Sequence, residues 1–429
     1  MTWLLRFNPF YKKNKGVQYL LSLDIGTEFV KALIFKTEGA TKEGEIIGAG
    51  KVHQPRGNMQ SAAVADIPAV TEICRQAIAQ AKQMAGRKEI DGVVVGIAGE
   101  YVRGTATTLV YQRQNAEEKI DLPELKNIVQ RIQWQAFNKI RQKLAQETNI
   151  SEIDVKLINA AIVDVKIDGY QVTNPVGFQG KELSLTIFNV YAPLVHLGAI
   201  ESIVNALKLN LVSIAAEPYA VVRSVDLKNK QNSAKGHAII IDIGGGTSDL
   251  ALVRNGAIEG VKSIAIGGQA FTKRLGLLLG LSFQQAEEIK LKYSQGEVGR
   301  VVKRKITDAL KKDFKIWASG LSLILEEFSQ AGPLPSTILL CGGGSFLPGI
   351  KKILEDPEWT KGLPFAGENP QVSFIRPQDI SGLADLTGSL DSCQDVASMA
   401  LASLAIEMEK DKETILGPIV KRTVRLMQT

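Results

Sequence analysis

A chain of 429 residues, 45% hydrophobic and 22% charged, is too long for one ordinary core and has the composition of a soluble globular protein with two or more domains. Lys and Arg outnumber Asp and Glu, 51 to 45, and no run reaches the ~18 consecutive apolar residues of a spanning helix. Cysteines occur only at Cys74, Cys341 and Cys393 and histidines only at His53, His196 and His237. This argues against a disulfide framework, a zinc cluster or a histidine-activated nucleophile, and leaves carboxylates, lysines and backbone to carry any chemistry.

The opening segment, MTWLLRFNPFYKKNK, carries Arg6, Lys12, Lys13 and Lys15 without an acid, and Lys421, Arg422 and Arg425 lie near the other end. Basic ends on a near-neutral body suit an anionic surface, membrane or nucleic acid, or act simply as solubilising tails. The segment lacks the uninterrupted apolar core of a secretory signal, which predicts a cytoplasmic protein. Trp3, Leu4 and Phe7, ended by Pro9, form at most a weak anchor.

Residues 19–35, YLLSLDIGTEFVKALIF, read as strand, Asp-Ile-Gly, polar turn, strand. Residues 239–253, IIIDIGGGTSDLALV, repeat the pattern about half the chain later. Asp24 matches Asp242, Gly26 matches Gly244, and Ala32-Leu33-Ile34 matches Ala251-Leu252-Val253. A repeat at this spacing is a duplicated domain rather than a solenoid. Glycine supplies the positive φ of a tight turn and admits a ligand to the backbone amides, which form an anion cradle. An aspartate at the strand end suits hydrated Mg²⁺. Two such hairpins, one with Gly244-Gly245-Gly246-Thr247, predict phosphate binding.

Between them, residues 67–86 have helical periodicity and DGVVVGIAGEYV reads as a strand entering a glycine turn. A long amphipathic helix follows over 121–148, with Asp121 and Pro123 as start signals. The strands VKLINAAIVDVKIDGYQVTN and KELSLTIFNVYAP complete a strand–helix–strand–strand pattern, an inserted α+β module over about 97–190 whose Trp134 and Phe137 read as core. A third glycine cluster, STILLCGGGSFLPGIKKIL at 336–354, places Gly342-Gly343-Gly344-Ser345 between a strand and a helix, a common nucleotide approach. It is not a Walker A loop, because Ile350 stands where lysine is required.

Near the end, Pro418 suits the first helical position after Gly417. On a wheel, Ile419, Val420, Thr423, Val424, Leu426 and Met427 share one side and Lys421, Arg422 and Arg425 the other. A helix of this length, ~18 Å, is too short to cross a ~30 Å hydrocarbon core. It suits the headgroup interface of an anionic membrane, or a place on the protein's own surface.

These motifs, in this order, resemble the actin-like ATPase superfamily of actin, sugar kinases, heat-shock chaperones and MreB. LDIGT resembles its first phosphate loop, IDIGGGTSD its second and LLCGGGSFLPGI its adenosine loop. AAEPYAVVRSV and DVASMALASLA resemble the two connecting helices that cross at the hinge. Within the superfamily, VDVKIDGYQVTNPVGFQGKELSLTIFNVYAP, and SIAIGGQAFTKRL followed by QAEEIKLKYS, are similar to the cell-division family FtsA. The likeness covers about 17–409.

The resemblance implies a two-lobed α/β fold of duplicated ribonuclease-H-like domains around ATP and Mg²⁺. It divides the chain into a basic tail (1–16), a first lobe (17–96 and 191–235) interrupted by an SHS2-type subdomain (97–190), a second lobe (236–268 and 336–384) with an upper subdomain (269–335), a closing connector helix (385–410) and a C-terminal amphipathic helix (411–429). Asp24 and Asp242 would face the metal through water, with Asp249 supporting its shell. Gly26, Thr27, Lys31 and Gly244 to Thr247 would hold the phosphates, and Glu217 would orient the attacking water. Glu287 and Lys290 would reach the ribose or adenine edge, though on the residues alone they read as an ordinary i, i+3 pair. Gly342 to Ser345 would line the base.

The family implies polymers or dimers at the cytoplasmic face of the membrane at the division septum. Its partners would be the tail of the tubulin-like FtsZ, other division proteins and anionic lipid, with no nucleic acid. ATP hydrolysis would be slow at most. Four features depart from FtsA: the position of Lys31 after the first loop, where FtsA has an earlier lysine, the short segment 294–306, the long inserted helix at 121–148, and the missing linker before the last helix. The first also resembles the pilus-assembly protein PilM, the rival reading. A sugar kinase of the same superfamily is a third, but no sugar-specific residues stand out.

Overall fold

The computed structural model describes residues 16–38, 43–87, 89–148, 155–227, 236–367 and 369–410. The possible anchor at Trp3, Leu4 and Phe7 and the amphipathic helix over 419–427 lie outside the described residues.

The chain begins with an antiparallel meander, β1 (Val17–Ile25), β2 (Phe29–Glu38) and β3 (Gly44–His53). A small ribbon, β4 (Met59–Gln60) with β5 (Ala63–Val64), precedes α1 (Ile67–Ala85) and β6 (Gly92–Ile97). Asp66 caps α1 by accepting from the amide of Ala69, and Gly86 ends it in the left-handed region. There follow β7 (Arg103–Gln112), α2 (Leu122–Thr148), β8 (Val155–Ile167), β9 (Tyr170–Gln171) and β10 (Glu182–Pro193). The chain returns through α3 (Leu194–Ala206), β11 (Leu211–Ala216) and α4 (Glu217–Ser224).

A second meander follows, β12 (Ala238–Ile243), β13 (Ser248–Arg254) and β14 (Ala257–Ile264). Next come α5 (Gly268–Leu279), α6 (Phe283–Gln295), α7 (Arg300–Ser329), β15 (Thr337–Cys341), α8 (Pro348–Leu354), α9 (Pro357–Thr360) and β16 (Gln371–Phe374). The described chain closes with β17 (Leu383–Asp385) and α10 (Val396–Lys410).

The duplication is visible in the strand order. In one sheet β1 carries β2 and β3 antiparallel on one side and β6 and β11 parallel on the other; in the second, β12 carries β13 and β14 antiparallel and β15 and β16 parallel. The central strands read as unbroken apolar runs because both faces are covered: Leu20 to Ile25 and all of Ala238–Ile243 are buried. Each Asp-x-Gly turn therefore leaves the end of a fully buried strand, which is what holds it rigid.

Each sheet is extended at the edge of its meander. β17 adds to β3, while β7, leading β10, β8 and β9, adds to β14 through Gly260 opposite Thr105 and Val261 opposite Gly104. The interrupting segment thus leaves the first lobe and pairs with the second. Its helix α2 packs on its sheet through Ile128, Val129, Ile132, Ala136 and Ile140. Trp134, expected in the core, is instead 57% exposed and lies edge-to-face on Phe137 at 5.8 Å. It falls on the opposite side of the helix from that stripe, so only Phe137 of the pair packs against the core.

The two connector helices cross closely, as their small residues predict. The hydroxyl of Ser224 on α4 donates to the carbonyl of Ala400 on α10 at 3.1 Å, and Arg223 pairs with Glu407. Ser22 of β1 ties in the same helix by donating to Ser398 O at 2.6 Å.

Candidate functional site

The two hairpin turns face each other. A Cβ placed on Gly245 would lie 3.0 Å from Cβ of Glu28, and one on Gly246 would lie 2.7 Å from Oγ1 of Thr27. Bare backbone is what lets the turns meet. The second turn is closed by Gly244 N–H donating to Thr247 O at 2.9 Å, and the amides of Gly268 and Gln269 donate to the carbonyls of Gly244 and Gly245, each at 2.9 Å. Among the described residues the amides of Gly245 and Gly246 have no protein acceptor, so they are free to hold an anion. Trp317, fully buried on α7, donates Nε1–H to Ser248 Oγ at 2.9 Å and steadies the strand leaving this turn.

The third glycine loop crosses above Asp242. Gly342 has φ +80°, and a Cβ there would lie 2.1 Å from Oδ1 of Asp242 and 2.5 Å from Ile243 O. Only glycine fits. Ser345, expected against a base, is buried; its hydroxyl donates to Gly342 O at 2.6 Å and closes the short turn Gly343–Phe346. The serine shapes the loop and does not line the cleft.

The remaining candidates converge. Asp24, Gly26, Thr27, Lys31, Glu217, Asp242, Gly244 to Thr247, Asp249, Glu287, Lys290 and Gly342 to Gly344 all line one cleft of about 570 Å³, a volume suited to a small-molecule ligand. Lys290 is buried, and its Nζ donates to Gly268 O at 3.1 Å and Thr272 Oγ1 at 2.8 Å while pairing with Glu287 at 2.7 Å. Its three protons are taken, so it fastens α6 to the start of α5, behind the second turn.

Electrostatically the cleft favours a cation. Lys31 Nζ lies 3.1 Å from Asp24 Oδ2 and donates to Gln394 O at 2.5 Å. Burial opposes its charge, yet Asp24, Asp395 and Asp242 together outweigh burial and raise its pKa. Glu217, first residue of α4, is pushed well above the usual carboxylate range by burial and then by the charges of Asp24, Asp242 and Asp249. Burial, then Asp249, pushes Asp242 up to about 7. Burial also raises Asp249, even though Ser263, Thr247 (3.0 Å) and the amide of Gly99 hydrogen-bond it. Buried acids that resist ionising beside a single ammonium are short of positive charge.

Among the described residues no group of three or more His, Cys, Asp or Glu could ligate an ion directly. The two strand-end carboxylates that line the cleft, Asp24 and Asp242, are donors of the kind a hydrated Mg²⁺ takes, one or two carboxylates with water and phosphate oxygens completing the shell.

Residues not singled out from the sequence also contribute. Gln269 donates Nε2–H to Glu28 Oε2 at 2.8 Å, the carbonyl of Gln394 anchors Lys31, and Phe346 and Leu291 add apolar surface. The Gly-Gly before Gln269 was a usable signal. Nothing local marks the other three.

Two α/β lobes of repeated topology, with an Asp-x-Gly hairpin from each meeting in the cleft between them, define an actin-like ATPase fold. The PilM-PilN type IV pilus biogenesis complex contains such a chain, similar in fold with a TM-score of 0.62 at 16% identity, covering 91% of this chain and 98% of that one. Sequence narrows the class. The family model described as cell division protein FtsA matches residues 239–399. FtsA of Pseudomonas aeruginosa is 26% identical over 440 residues, covering 95% of this chain and 97% of the relative. FtsA of Neisseria meningitidis is 27% identical over 389 residues, 86% of each. The chain thus has an actin-like fold and is similar in sequence to FtsA.

Proposed function

We propose that the cleft binds Mg²⁺-ATP and that the protein serves bacterial cell division in the manner of FtsA, holding FtsZ filaments to the cytoplasmic membrane at the septum. The observation that carries the nucleotide reading is the pair of facing hairpins, with unclaimed amides at Gly245 and Gly246 beside the buried carboxylates of Asp24 and Asp242. The division reading rests on similarity to FtsA along almost the whole chain. The domain boundaries given above belong to the same proposal.

Asp24 and Asp242 would hold a hydrated Mg²⁺, which would supply positive charge against the phosphates. The protein's own part is positioning. Gly244 to Thr247, with Gly26 and Thr27, hold the phosphate end, and Gly342 to Gly344 form the wall over Asp242. Lys31 pairs with Asp24 at 3.1 Å and fixes its side chain at the strand end. Glu217, with its pKa raised, is suited to hold a proton or accept one from water. The likeness to FtsA suits a slow ATPase that acts as a switch.

No helix among the described residues is long and apolar enough to cross a membrane. We assign membrane contact to the basic amphipathic segment 419–427, with self-association supplying avidity. The rival reading, a PilM-like adaptor for the tail of an inner-membrane protein, draws on the fold likeness to the PilM-PilN complex. Co-sedimentation decides between them: the full chain with ATP should carry down a peptide of the FtsZ C-terminal tail and leave a pilus-protein tail in solution. The reverse result selects the PilM-like reading.

A further inference from the structure

Two residues of the first lobe hold a backbone shape that their side chains oppose. Ser61 (φ +48°) and Ala62 (φ +65°) form the two-residue tip between β4 and β5, closed by the pairing of Gln60 with Ala63. A hairpin tip with both residues left-handed is ordinarily Asn-Gly, because a Cβ at either place crowds the backbone. Here both residues carry one, so the surroundings must hold the tip in its shape.

The surroundings are built for it. The amides of Ala65 and Asp66 donate to Asn58 O at 2.8 and 3.1 Å, and Asn58 Nδ2 donates to Gln54 Oε1 at 3.0 Å. Gln54 N–H donates to Glu28 O at 2.8 Å, which fastens the stem of this small hairpin to the first Asp-x-Gly turn. The tip itself rests on bare backbone at Gly99, where φ is +114° and a Cβ would lie 3.2 Å from Ser61 O and 3.4 Å from Cβ of Ala62.

So held, the tip reaches the second turn. Ala62 lines the cleft with Met59 and Val64. A Cβ on Gly246 would lie 3.3 Å from Ala62 N, on the same glycine that meets Thr27. Among the described residues the amide of Ala62 has no protein acceptor. A half-buried amide still needs a partner, and the nearest unclaimed groups, the amides of Gly245 and Gly246, are donors like itself. Three donors without acceptors around one corner of a cleft call for an anion.

We propose that the Ser61–Ala62 tip is a third arm of the anion cradle, in which the amide of Ala62 binds a phosphate oxygen together with the amides of Gly245 and Gly246. The proposal rests on the cleft being a nucleotide site, and it adds a contact from outside both Asp-x-Gly hairpins. Any phosphate seated on the second turn serves, whatever its place along the nucleotide. The left-handed turn is what brings the Ala62 amide to that place.

The test reads that amide directly. In protein labelled with ¹⁵N-alanine, the Ala62 resonance is the one lost in Ala62→Gly. Mg²⁺-ATP and inorganic pyrophosphate should each shift it downfield and slow its exchange with solvent. Adenosine, which has no phosphate, should do neither. Placing lactic acid at position 62 exchanges the same N–H for an ester oxygen and keeps the methyl group. Calorimetry should then show Mg²⁺-ATP binding weakened about tenfold or more, the loss of one hydrogen bond to a charged group, with thermal melting to confirm that the protein is folded. An Ala62 resonance unmoved by ATP and pyrophosphate, in protein that binds ATP, overturns the proposal and leaves the nucleotide site standing. So does unchanged affinity in the ester variant, or an equal shift with adenosine, which would report movement of the lobes and not contact with phosphate. A parent that binds no nucleotide overturns the cleft reading, and this proposal with it.

Discussion

Consider Asp242→Asn. In the folded chain Asp242 has its pKa pushed up from 3.8 to about 7, by burial first and by Asp249 next. A carboxyl whose folded pKa is raised favours the native state below its unfolded pKa and loses that contribution as pH climbs through the folded one. The window therefore runs from about pH 4 to pH 7, and stability of the ligand-free protein falls across it. At 1.36 kcal/mol per unit the full loss is roughly 4 kcal/mol, an upper bound because neighbouring acids share the repulsion.

Asparagine has nearly the same shape and stays neutral. The variant should match the parent near pH 4 and exceed it at pH 8 by up to that amount, several degrees in Tm for lobes of this size. Thermal unfolding by circular dichroism in EDTA, without nucleotide, at steps between pH 4.5 and 8 measures it. Adding Mg²⁺-ATP should reverse the order, because the parent's carboxylate then has a cation to face. Parallel pH profiles of parent and variant in EDTA would refute the electrostatic reasoning.

Other outcomes follow from the same geometry. Gly342→Ala should cost about 2–4 kcal/mol in urea unfolding, from positive φ and a Cβ driven into Asp242; a change under about 0.5 kcal/mol would mean the loop relocates freely. Lys31→Met leaves buried Asp24 without its cation and should destabilise the metal-free protein by about 3–5 kcal/mol, with Mg²⁺ plus ATP restoring part of the loss in Tm; no restoration would place the metal elsewhere. Removing residues 414–429 should abolish flotation with anionic liposomes and leave ATP affinity unchanged. Each basic residue contributes about 1 kcal/mol at such a surface, so high salt should also release the parent. Continued flotation would move the anchor to Trp3–Phe10.

What could be read from the sequence is what local chemistry encodes. The hairpins stand out because an aspartate and glycines end runs such as Ile239 to Ile241, and the fold class follows from finding two of them. Ser345 was misassigned because its place in a Gly-Gly-Gly-Ser string looks the same whether the hydroxyl meets a ligand or its own loop; the backbone at Gly342 decides. Trp134 was misplaced because a long helix with one narrow apolar stripe does not announce which aromatic lies outside it. Gln269 against Glu28 and Gln394 against Lys31 are contacts between distant segments, set by how the elements approach and by no spacing in the chain. The connector helices were legible because their small residues permit a close crossing.

The most direct test of the central claim is calorimetric titration of ATP, with and without Mg²⁺, into the parent and into Asp24→Ala and Asp242→Ala. The account predicts Mg²⁺-dependent binding in the parent and weakened binding with a smaller Mg²⁺ effect in each variant. Unchanged, Mg²⁺-independent affinity in both variants would contradict it and remove ATP from this cleft.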